Sequence, residues 1–77
     1  MKVRIGDLHV GECFRFQGAL YIRVGERSKL QVQCQKAGER GYQYLLSASV
    51  VDSVPETAFL TAEAAAEGPA EGSEDHE

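Results

Sequence analysis

The stretch Glu12-Cys-Phe-Arg-Phe-Gln-Gly-Ala-Leu-Tyr-Ile-Arg-Val24 decides the fold of this chain. Phe14 and Phe16 alternate with Cys13 and Arg15, and Leu20, Ile22 and Val24 alternate with Tyr21 and Arg23. A period of two is the mark of a half-buried strand, because successive Cβ atoms point to opposite sides of the pleat. Gln17-Gly18 separates the two runs, and a glycine there permits the backbone of a tight turn. The stretch therefore predicts a β-hairpin with Phe14, Phe16, Leu20 and Ile22 inside and Arg15, Tyr21 and Arg23 outside.

The same reading extends in both directions. Upstream, Asp7-Leu-His-Val-Gly11 is a turn leading into the hairpin, and residues 1–6 are a short strand or an irregular start. Downstream, residues 25–29 form a polar loop. Leu30-Gln-Val-Gln-Cys-Gln35 then alternates strictly, with Leu30, Val32 and Cys34 facing inward. Residues 36–41 hold two glycines around two charges and read as a turn. Residues 42–46 and 50–54 are two further strands, broken by Ser47-Ala-Ser49 and stopped by Pro55. Strands this short and this closely spaced predict an all-β fold. The architecture that fits best is a small, partly open five-stranded antiparallel barrel of the SH3-like kind. A plain antiparallel sheet whose bare face is covered in a homodimer is the second choice.

Seventy-seven residues suffice for one small domain. Its net charge of −4 conceals a division. Residues 1–60 hold eight basic against six acidic side chains, a balance of +2, whereas residues 61–77 hold six acids and no base. The first segment is read as the β-domain and the second as an acidic, Ala/Glu/Gly-rich tail. Its composition buries too little to stay ordered, so the tail is expected to be mostly disordered. Thr61-Ala-Glu-Ala-Ala-Ala-Glu67 has high intrinsic helicity, with Ser53 and Glu56 at capping-box spacing and Gly68 as a stop, so residues 55–67 are read as extended or helical.

No chemistry stands out. His9 and His76 are far apart, Cys13 and Cys34 form no Cys-x-x-Cys pair, and no carboxylates cluster in the β-domain. Neither a catalytic centre, a metal site nor a cofactor is expected. A leader and a membrane span are also unexpected, which points to a cytoplasmic protein with reduced thiols. What remains is a surface. Arg15, Tyr21 and Arg23 on the hairpin, with Arg27 and Lys29 in the following loop, make a candidate partner face. Arg and Tyr are favoured where proteins meet, which suggests a protein partner. Interleaved Arg and Tyr also suit single-stranded nucleic acid, with the acidic tail as competitor or mimic, and this is the alternative reading.

Asp7-Leu-His-Val-Gly11, followed by Phe14, Phe16, Gly18, Tyr21 and Arg23, resembles the opening of a group of short bacteriophage- and prophage-encoded proteins. The loop Glu26-Arg-Ser-Lys29 is similar to the basic, Ser-containing segment after that hairpin. The likeness covers about a third of the chain and fades past Leu30. It implies an SH3-like small barrel and a phage origin, and assigns no activity. The expectation is a non-enzymatic regulatory module that binds a host protein in the bacterial cytoplasm.

Overall fold

A computed structural model describes the backbone of residues 1–74 and the side chains of residues 1–66. Six strands form one antiparallel sheet: β1 (Lys2–Arg4), β2 (Cys13–Phe16), β3 (Ala19–Glu26), β4 (Gln31–Lys36), β5 (Gln43–Leu46) and β6 (Val50–Val54). A 3-10 turn, Ile5–Asp7, follows β1, and a helix, α1 (Glu56–Glu74), follows β6. The spatial order is β1-β6-β2-β3-β4-β5.

The expected count of five strands is corrected: a sixth strand, β1, forms from the segment read as a short strand or an irregular start. The six strands make an unclosed sheet with β1 and β5 at its margins. The sheet is nevertheless strongly curled. β5 and β6 are four places apart in the order, yet three residues join them, with Ser49 N–H donating to Leu46 O at 3.0 Å. The end of β1 reaches the same turn: Ile5 N–H donates to Ser49 O (3.0 Å) and Gly6 N–H to Ser47 O (2.9 Å).

The β2–β3 hairpin has the two-residue loop its sequence predicts. Gln17 and Gly18 both adopt positive φ, 52° and 81°, as the favoured hairpin turns require. The resulting register places Phe16 opposite Ala19, Arg15 opposite Leu20, Phe14 opposite Tyr21 and Cys13 opposite Ile22. The inward set is therefore Phe14 with Tyr21. Phe14, Tyr21, Ile5, Leu8, Val32, Cys34 and Val51 form the core, with Phe16 and Ala19 packed against it. Phe14 and Tyr21 stack, with ring centroids 5.4 Å apart and planes 9° from parallel.

This reverses the expected phase of β3, where Leu20 and Ile22 were to be inside. The cause is that neither face of the hairpin is bare. α1 packs against β2 and β3 and buries Phe59. Cys13, Leu20 and Ile22 lie on the face opposite the core and are buried or half-buried, Cys13 being buried outside the core cluster. Alternation marks two faces but does not say which one faces the centre. On β4, Val32 and Cys34 face inward as expected, but Leu30 is 72% exposed beyond the strand's end.

α1 starts at Glu56, inside the segment assigned to the β-domain, so the boundary at residue 60 falls within a helix. Most of the stretch expected to be disordered is helical here, and the helix runs past Gly68. A Cβ on Gly38 would stand 2.6 Å from Cβ of Ala66, so α1 passes closely over the β4–β5 turn. The expectation of disorder for residues 75–77 lies outside the described residues.

Candidate functional site

The structure disperses the five residues of the sequence-derived face. Tyr21 is 7% exposed and belongs to the core. Arg23 is 8% exposed and points into the base of the fold. Its guanidinium donates to the backbone carbonyls of Leu8 and, at 3.3 Å, Gly6, and it meets Glu26 Oε1 at 3.0 Å. Arg23 thus supplies donors to carbonyls around the 3-10 turn, a structural task that satisfies a buried charge. Arg15 is exposed on β2 opposite Asp52 of β6. Arg27 and Lys29 are exposed in the β3–β4 loop.

The sequence held a signal for this outcome. A two-residue loop at Gln17-Gly18 sets Phe14 against Tyr21, and residues directly opposite share a face. Placing Phe14 inside obliges Tyr21 to follow. Arg23, two residues further on, then goes inward with it.

A different surface collects around β5. Tyr42, Tyr44 and Leu46 alternate along the strand on its exposed side, and Leu30 lies just before β4. Leu46 is 61% exposed and Tyr44 43% exposed. The Arg27 guanidinium sits 4.8 Å from the Tyr44 ring centroid, in cation–π range. Gln31 and Gln33 of β4 stand opposite Leu46 and Tyr44. Ser47 ties the end of the strand to the loop, donating through Oγ to Lys29 O (2.9 Å) and through N–H to Leu30 O (2.8 Å). The face is mixed apolar and cationic, and the nearby Glu39 already bonds Lys36 (3.3 Å) and Gln43 (3.2 Å).

A second feature is an open cleft of about 460 Å³ between β2 and the start of α1, lined by Leu8, Glu12, Cys13, Val54, Pro55 and Glu56 among others. Burial pushes the Cys13 thiol above its ordinary value, and the nearby Glu56 and Glu12 carboxylates add to the effect. At the mouth, the backbone N–H of His9 donates to Glu12 Oε1 (2.6 Å) and holds that carboxyl below its usual range. Among the described residues, no group of three or more His, Cys, Asp or Glu side chains is placed to hold a metal ion. Both thiols are free, and they lie on opposite faces of the sheet: Cys13 pairs with Ile22 while Cys34 pairs with Arg23.

Comparison with protein-family models, curated proteins and solved structures returns no match. The β5 surface therefore has to be read from its own chemistry. No helix among the described residues is long and apolar enough to cross a membrane.

Proposed function

We propose that this chain is a non-enzymatic binding module that holds a protein partner against the face formed by Arg27, Lys29, Leu30, Tyr44 and Leu46. The observation that carries the reading is Arg27 resting on the exposed Tyr44 ring beside exposed Leu46. Tyrosine gives large contact area for little lost freedom, arginine is favoured at binding hot spots, and a cluster of exposed apolar side chains rimmed by polar ones is the usual composition of an interface. In this reading the curled sheet is an SH3-like scaffold. The likeness of residues 7–24 to short phage proteins makes the partner a host bacterial protein met in the cytoplasm.

The test is affinity capture from bacterial lysate with the immobilised full chain, followed by reconstitution with the purified partner. A protein retained by the native chain and lost with Tyr44→Ser plus Leu46→Ser supports the reading. Equal retention by the folded double variant removes it.

The alternative of a nucleic-acid binder draws on the same Arg27–Tyr44 pair, since bases stack on such platforms. It is less well served by Leu30 and Leu46, which offer a phosphate nothing and a base only apolar contact. Titration with single-stranded oligonucleotides at low salt checks it. Binding that Tyr44→Ser abolishes would favour it over a protein partner.

A further inference from the structure

Resting on the protein-binding reading above, the geometry points to a partner of defined chemistry: we infer that β5 is a strand-addition edge for an extended acidic peptide. Its backbone would pair with Tyr44, and its carboxylates would meet Arg40, Arg27 and Lys29.

The backbone phase comes first. Ser47 N–H bonds to Leu30 O, and the β4–β5 register continues Gln31↔Leu46, Val32↔Leu45, Gln33↔Tyr44. Antiparallel pairs alternate between bonded and non-bonded positions. Ser47 and Leu45 thus turn their backbone groups toward β4, while Leu46 and Tyr44 turn theirs away. The carbonyl of Leu46 is taken by Ser49 N–H. Among the described residues, Tyr44 keeps both its N–H and its C=O for a new strand, because β5 ends the sheet. A sheet edge with free backbone groups and exposed side chains alternating along it is the requirement for β-augmentation.

Charge then selects the occupant. Arg40 lies in the turn before β5, Arg27 covers its middle and Lys29 is tied to its end. None of the three has an ion-pair partner among the described residues, while the neighbouring Glu39 is engaged with Lys36. A second copy of this chain added antiparallel at β5 would bring two such cation sets together, and like charges across a pair are unfavourable. A nucleic-acid strand carries no peptide groups to match Tyr44. An acidic peptide satisfies both the edge and the charge.

The probe is a short, acetylated, fluorescent Glu-Val-Glu-Val-Glu peptide, titrated into the full chain at low salt and followed by anisotropy. Saturable binding is expected, weakened about tenfold or more by Arg27→Ala with Lys29→Ala, by added salt and by Tyr44→Pro. Proline at Tyr44 removes an N–H that the ladder does not use, so the fold should tolerate it. Should that variant unfold, N-methylating alternate residues of the peptide removes the same pairing without touching the protein, and binding must fall equally. No binding, equal binding of a Lys-Val-Lys-Val-Lys peptide, or binding indifferent to N-methylation overturns the inference. Preferred binding of a single-stranded oligonucleotide, or a dimer of the chain that excludes the peptide, also overturns it. Capture of a partner that depends on Tyr44 and Leu46, with no affinity for the peptide, leaves the binding role standing and removes only the strand-addition mode.

Discussion

β1 and β5 are the two margins of one sheet, and they are built from opposite kinds of residue. At β1, Val3 packs against the core and Ile5, just beyond the strand, lies within it, while the exposed positions are Lys2 and Arg4. Lys2 lies 3.2 Å from Asp52, and the strand lasts only three residues before the 3-10 turn. A short strand with charged outward positions is how proteins keep a free edge from pairing. At β5 the outward positions are Tyr42, Tyr44 and Leu46, with no charge among them. The difference teaches that the bare edge at β5 is a choice of residues and not a shortage of means, since the same sheet guards its other margin.

The largest break in this comparison should come from Arg23, which secures the β1 side. Arg23→Leu leaves the carbonyls of Leu8 and Gly6 without their donor. A loss of about 2–4 kcal/mol in urea denaturation is expected. A loss below about 1 kcal/mol would mean that water replaces the guanidinium without penalty.

Gly38→Ala addresses the β5 side. It forces an alanine into φ +84° and against Ala66, so a loss of about 1–2 kcal/mol and weaker amide protection in α1 are expected. Hydrogen exchange reads the second effect.

Smaller changes act on the edges themselves. Lys2→Val with Arg4→Val removes the guard. Stability should shift by no more than about 1 kcal/mol, because the Lys2–Asp52 pair is exposed, yet sedimentation should reveal more association than for the native chain. Tyr44→Lys with Leu46→Lys should move stability by about 0.5 kcal/mol or less and raise solubility. If it unfolds the domain, β5 is a packing element and the contrast between the edges fails.

A pH scan sharpens the view beneath β5, where Cys34 pairs with Gln43. Burial pushes the Cys34 thiol up from 9.0 to about 11, against a partial pull downward from Arg23. The folded state keeps its proton longer than the unfolded state, so the thiol's contribution is complete below pH 9.0 and is lost as the pH rises toward about 11. Thermal melts across that window should fall more steeply for the native chain than for Cys34→Ala.

These expectations depend on structure that the sequence reveals unevenly. Three strands are legible because Phe14 and Phe16, Leu20 to Val24, and Val32 and Cys34 each alternate around the Gln17-Gly18 turn, and two more because Gly41, Ser47-Ala-Ser49 and Pro55 bracket short apolar runs. β1 is obscure because three residues carry too short a pattern. The inward course of Tyr21 and Arg23 is legible only through the register that the Gln17-Gly18 loop imposes; alternation misleads because α1 covers the hairpin's other face, so aliphatic side chains find burial away from the core. Arg27 and Lys29 read correctly as exposed. The β5 surface stays hidden because Tyr42-Gln-Tyr-Leu-Leu46 has apolar side chains in both phases, and only the strand's place at the margin distinguishes them.

The Lys2–Asp52 register has a consequence in time. Each of β2 to β5 pairs with the strand beside it in the chain. β1 has no neighbour until β6, some fifty residues further on, is in place. The β1–β6 pairing therefore closes the longest loop in the sheet, and pairings that close long loops are the slowest to form.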